Sequence, residues 1–151
     1  AEGNLDGNAM QPLLHAAKGC GLTLHRCIDV SRDLEKTYLE AGQLGIDTVL
    51  TSGGAGNCRA GMEVIEKLLA LRIQGGPEVL IGAGVNASVI EAFRSRLPEA
   101  TCFHMSGKTE IESGMRFRRE GIPMGIPGFD EWHIQQTSED AVRAAKEILF
   151  K

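Results

Sequence analysis

Residues 21–33 read GLTLHRCIDVSRD: a run with leucines at 22 and 24 stops in an imidazole and a guanidinium, His25 and Arg26, and a carboxylate follows at Asp29. Ionisable groups at the end of a buried run are costly unless each is paired, hydrogen-bonded or wetted. A second imidazole, His104, sits in a similar run, TCFHMS at 101–106. Imidazole titrates near neutral pH, so two of them with an acid and a guanidinium around one opening could move protons in a reaction. His25, Arg26, Asp29 and His104 are therefore the candidate catalytic residues. The plainer reading pairs Asp29 with Arg26 and satisfies each histidine with a neighbour, so that the groups only hold a rim together. That suffices for any one residue; the set as a whole favours a site.

Two glycine-rich stretches add a different chemistry. GAGVN at 82–86 lets backbone N–H groups come close to a ligand, and the helix expected to begin at Asn86 contributes its positive end. SGGAGN at 52–57 offers the same on another loop, and Ser106-Gly107-Lys108 supplies a hydroxyl and an ammonium. Ser52, Gly53, Gly82, Gly84, Ser106 and Lys108 are the candidate anion-binding residues, for a phosphorylated or carboxylate-bearing small molecule. The competing reading is a pair of tight turns that need glycine for positive φ.

Positioning these groups requires strands and helices in alternation. Four apolar, β-branched runs recur at 22–26, 47–52, 78–82 and 101–106. Between them, Leu34, Tyr38 and Ala41, then Val64, Leu68 and Leu71, then Val89, Phe93 and Leu97 repeat at helical intervals. Earlier and later helices are expected over 9–18 and 138–149, the last announced by the capping-box spacing of Thr137 to Asp140. Residues 107–136 read as an irregular stretch, with the basic RFRRE at 116–120 on a helix.

Such alternation gives a parallel sheet with right-handed crossovers. An open sheet covered on both faces has continuously apolar strands. Here the sides differ: Thr23 and His25 oppose Leu22 and Leu24, while Cys102, His104 and Ser106 oppose Phe103 and Met105. A greasy face toward helices and a polar face toward a lumen suit a (β/α)8 barrel of the TIM type, in which chemistry sits at the carboxyl ends of the strands. A full barrel takes ~250 residues, so 151 residues as one domain supply about four βα units, half a barrel. The expectation is a homo-oligomer, or a second chain that completes the barrel, rather than a compact monomer.

The bulk composition is that of an ordinary soluble domain. A net charge of −4, with no basic run, argues against nucleic acid as a partner, and no apolar stretch approaches a membrane span. The opening AEGNLDGNAM has no secretory pattern, lacks an initiator Met, and reads as though the chain begins within something longer. Four scattered cysteines without a C-x-x-C fit reduced thiols in the cytoplasm, and their spacing supports no closed metal site.

LTLHRCIDVSRD, LGIDTVLTSGG, VLIGAGVN, FHMSG and GMRFRREGIPMG follow one another in an order and spacing that resembles the CutC copper homeostasis protein family. The resemblance covers nearly all of this chain and the second half, or three fifths, of the family's length, with AEGNLDG similar to the loop after a fourth strand. Gly107, where Ala or Ser is commoner, and Trp132, near a usual Tyr, depart from the pattern. The resemblance implies a (β/α)8 barrel and a cytoplasmic role in binding or trafficking copper. Cuprous ion prefers sulfur ligands; Cys27 and Cys102 are the candidates within this half, although they do not converge well, while Cys20 and Cys58 read as structural. The alternative is a TIM-barrel enzyme acting on a small anionic metabolite through His25, Asp29 and His104. Whether the protein is an enzyme stays open.

Overall fold

The computed structural model describes residues 2–122, 124–126, 128 and 130–150. Its contacts gather into two compact units, one running through Met105 and one from Ser106 onward.

In the first unit, three of the four helices begin where a short polar side chain can take up a free amide. Asp6 accepts from Ala9 N at 3.0 Å and starts α1 (Gly7–Ala16); Asp33 accepts from Lys36 N at 3.0 Å and starts α2 (Leu34–Gln43). Asn86 accepts from Val89 N at 3.0 Å and starts α4 (Ala87–Arg96), as its sequence position predicts. The helix α3 (Met62–Ile73) starts at Gly61 with no side-chain cap.

Three strands, β1 (Thr23–Leu24), β2 (Thr48–Thr51) and β3 (Glu78–Ile81), pair in parallel in their sequence order. A further stretch joins β3 through one parallel bridge, Ile81 to Phe103, with His104 N donating to Ile81 O at 2.8 Å and Ile81 N to Cys102 O at 2.9 Å. Two of the expected strands are thus shorter than 22–26 and 101–106. The first is cut short because the chain turns at His25 into a 3-10 turn, Arg26–Val30.

Alternation along the strands sorts the residues into two environments. Val49, Thr51, Val79 and Ile81 are buried, and the three apolar ones join Tyr38 and Ala41 of α2, Ile65, Leu68 and Leu69 of α3, and Val89 and Phe93 of α4 in one core. Phe103 meets Phe93 edge to face, with ring centroids 6.0 Å apart. Thr48, Leu50, Glu78 and Leu80, on the opposite side, are only half-buried. Helical periodicity identified the inner face of α4; in α3 it found the buried Leu68 and the core-packed Leu71 but missed the buried Ile65 and Leu69 in favour of the half-exposed Val64.

The second unit corrects the expectation of an irregular stretch. There β4 (Lys108–Glu112) and β5 (His133–Thr137) form an antiparallel pair with Ile111 opposite Ile134. Residues 116–120 form no helix; Arg118 donates to Glu112 at 2.8 Å and lies over the Trp132 ring at 5.0 Å instead. The last helix, α5 (Glu139–Leu149), is capped by Ser138 rather than Thr137, accepting from Ala141 N at 3.3 Å.

Candidate functional site

The carboxyl ends of β1 and β2 are tied together by one carboxylate. His25 caps the 3-10 turn, its Nδ1 accepting from Cys27 N at 2.9 Å, which leaves Nε2 to carry the imidazole proton. The turn brings Asp29 back over the end of β2. Its Oδ1 accepts from Thr51 Oγ1 at 2.5 Å, Ser52 N at 3.1 Å and Gly54 N at 3.0 Å. Its Oδ2 accepts from Arg26 Nε at 2.6 Å and Ser52 N at 3.1 Å, with the Ser52 hydroxyl at 2.9 Å. The side chain is 5% exposed. Burial alone would raise this carboxyl, but the hydrogen bonds from Thr51, Arg26, Gly54 and Ser52 overcome it and hold Asp29 below the usual carboxylate range.

Asp29 also fixes Arg26. With Nε held, the guanidinium reaches across with Nη2 to Ser52 Oγ at 2.7 Å and Ala55 O at 3.3 Å. It stays 42% exposed, a positioned cation rather than a buried one. The structure thus brings Arg26, Asp29 and Ser52 together and adds Thr51 and Gly54, which were not among the candidate site residues.

The glycine loops divide in character. The amides of Ser52 and Gly54 donate to Asp29, and that of Gly53 donates to Thr51 Oγ1 at 2.8 Å, so the 52–54 amides are turned inward. Close approach explains the glycine at 53: its φ is +74°, and a Cβ there would run into the backbone of Gly61. After β3, Gly82 N continues the ladder to Thr51 O at 2.9 Å. Ala83 follows at φ +72°, the one non-glycine with positive φ among the described residues, and Gly84 at +79°. Their amides meet no acceptor among the described residues. The carbonyl of Ala83 accepts from Cys58 N at 3.0 Å, so the 55–58 loop spans from Arg26 to this turn.

His104 is exposed, its Cβ 3.8 Å from where a Cβ on Gly82 would lie. Alternation puts it on the half-buried side of the sheet, as it does His25. Three strand spacings separate the two histidines, about 14 Å across the sheet, too far to pass a proton directly. Ser106 and Lys108 belong to the second unit, where Ser106 O accepts from Thr137 Oγ1 at 3.4 Å and Lys108 is exposed opposite Thr137.

The cysteines are all free. Cys27 is exposed just past β1, while Cys102 lies against Glu78 at the amino end of β3. Burial raises the thiols of Cys27, Cys58 and Cys102, and the Glu78 carboxylate raises Cys102 further, which disfavours the thiolate a soft metal wants. No group of three His, Cys, Asp or Glu side chains able to hold a metal ion occurs among the described residues. A copper centre built from these cysteines alone does not fit. Of the remaining histidines, His15 is exposed and His133 is half-exposed, bonded to Asp130 at 2.7 Å.

Comparison with known proteins gives a consistent result. A profile of the CutC family matches residues 1–109. The family protein CutC of Vibrio campbellii is 37% identical over 143 residues, covering 91% of this chain and 57% of that protein. Those of Chromobacterium violaceum (32% identical, 100% of this chain, 60% of the relative) and Bacteroides thetaiotaomicron (34%, 94% and 57%) are similar to the same extent. The chain spans about three fifths of the length of these relatives.

Proposed function

This chain belongs to the CutC family, and from that premise we propose that it works in copper homeostasis, as the four βα units of a half (β/α)8 barrel. Family membership carries the role. The sheet supports the architecture: strands in sequence order, one apolar face packed on the helices, and ionisable groups at the carboxyl ends, where barrels keep their chemistry. The half-buried side with Leu50 and Leu80 is the face that a completing half, from a second copy or another chain, would cover. Free thiols fit a cytoplasmic setting, and no described helix is long and apolar enough to cross a membrane.

Copper is the cargo in this reading, and a site involving Cys27 or Cys102 needs further ligands from the completing half. Titration of cuprous ion against the reduced chain, in competition with a chelator, tests this. The chain alone should show no stoichiometric site; a tight one lost on blocking the thiols would overturn the need for outside ligands.

A second reading is favoured by the Asp29 cluster: the open end of the sheet binds a small anionic metabolite, on which His25, Asp29 and His104 would act as an enzyme's groups. The fixed Arg26 supports it. Sugar phosphates well above their dissociation constants should raise the melting temperature; no shift with any anion would remove this reading.

A further inference from the structure

His25, Asp29 and His104 do not have equal freedom to handle a proton. Asp29 accepts at both oxygens, from Thr51 Oγ1, Ser52 N and Gly54 N at Oδ1 and from Arg26 Nε at Oδ2. A proton on it would displace one of these donors, and the same bonds hold it ionised. His25 is restricted differently. Its Nδ1 lone pair is the acceptor that caps the 3-10 turn, with Cys27 N at 2.9 Å. A neutral imidazole has one N–H and one lone pair, so this bond fixes which nitrogen is which. Nε2 carries the proton, on an exposed ring, and meets no partner among the described residues. A further proton can enter only at Nδ1, where it would face the Cys27 N–H. His104 has no such tie. It is exposed, its backbone amide donates to Ile81 O, and its ring makes no hydrogen bond among the described residues.

We propose that His25 is a fixed hydrogen-bond donor, through Nε2–H, to an oxygen of the anionic ligand, and that His104 is the one group of the three with a nitrogen free to take a proton from that ligand. This division rests on the anion-binding reading above and assigns its histidines separate roles. The cap is what makes His25 a donor: the turn that carries Arg26 and Asp29 is the same turn that holds the Nδ1 lone pair. A donor whose tautomer is set before the ligand arrives needs no rearrangement on binding. An N–H that stays in place also suits an oxygen that gains negative charge as a reaction proceeds. His25 keeps its proton throughout, so no step passes between the two rings, which lie about 14 Å apart across the sheet. They meet a ligand independently rather than as a relay.

NMR of the ring nitrogens, recorded at about pH 8 with and without inorganic phosphate, tests the proposal. His25 should show a single tautomer, Nδ1 bare and Nε2 protonated, and phosphate should move its Nε2 resonance. A His25 protonated at Nδ1, or averaging between tautomers, overturns the fixed donor. Phosphate that moves the amides around Arg26 and Ser52 but leaves His25 Nε2 unmoved overturns its contact with the ligand while the anion-binding reading stands. Phosphate that moves nothing at the carboxyl ends of β1 to β3 overturns that reading itself. Diethyl pyrocarbonate acylates an imidazole nitrogen whose lone pair is free, so peptide mapping should find His104 modified several times faster than His25; equal or slower modification of His104 overturns its role. His25→Asn separates donor from cap, because the Asn side-chain oxygen can still accept from Cys27 N. It should stay within about 2 °C of the parent's melting temperature and weaken phosphate about fivefold. A larger fall overturns the cap as the tie on Nδ1, and unchanged affinity overturns the donor.

Discussion

Replacing Asp29 should unfasten the ends of β1 and β2, and the two obvious substitutions should do so to different degrees. Asp29→Ala removes the acceptor for Thr51 Oγ1 and Ser52 N, both on fully buried residues, and for Gly54 N and Arg26 Nε, which water can reach. An unsatisfied buried donor costs about 1–3 kcal/mol, so the two buried donors set a loss of roughly 2–6 kcal/mol, the exposed pair adding little. In a chain of this size about 1 kcal/mol lowers the melting temperature by 2–4 °C, giving a fall of about 4–24 °C. Asp29→Asn keeps an oxygen where Oδ1 serves Thr51, Ser52 and Gly54 but sets an amide against Arg26 Nε, and should cost about half as much. The NMR ring resonances of the single Tyr, Tyr38, during urea unfolding follow the first unit without Trp132 of the second. An Asp29→Ala variant within about 1 kcal/mol of the parent, or an Asn variant as damaged as the Ala one, would refute the hub.

The same carboxylate sets a pH dependence. Because its folded-state pKa is lowered, its stabilisation is fully present above the unfolded value near ~4 and is lost as pH falls through the folded value. The stability gap between parent and Asp29→Asn should be flat from about pH 5 to 8 and shrink below about 4; a gap that widens on acidification would contradict the assignment. Tyr38, fully buried, donates its hydroxyl to Pro77 O, and burial with the nearby Glu78 carboxylate pushes its pKa up to about 12. Its absorbance should show no phenolate at pH 10, where half-titration would disprove the buried environment. A Cβ on Gly61 would overlap the Ser52 carbonyl oxygen and lie 2.9 Å from Gly53 Cα. Gly61→Ala should therefore destabilise by about 1–3 kcal/mol by urea unfolding, and a neutral outcome would mean that the two loops do not pack as described.

How much of this was legible in the sequence depends on the distance over which each feature is decided. Caps such as Asp33 and Asn86 act within three residues, so their side-chain chemistry is local. Thr137 was a plausible cap in the same way, but Ser138 has the geometry. The alternation that puts His25 and His104 on one side was also readable. The role of Asp29 was not, since its partners Thr51 and Ser52 lie 22 and 23 residues away. SGGAGN left anion binding open beside a tight turn because a turn that exposes its amides and one that points them inward look alike in sequence. The β4–β5 pair escaped because KTEIE and HIQQT each carry a single apolar residue, Ile111 and Ile134, a pattern too polar to separate from a loop.

An amide chemical-shift map of the chain, recorded separately with inorganic phosphate and with cuprous ion, asks most directly where ligands meet it. The phosphate perturbations should cluster at the carboxyl ends of β1 to β3, His25 and Arg26 among them, with cuprous ion producing no saturable cluster at Cys27 or Cys102. Perturbations from both probes that avoid the carboxyl ends of β1 to β3, or a saturable cuprous cluster at those two cysteines, would contradict this picture.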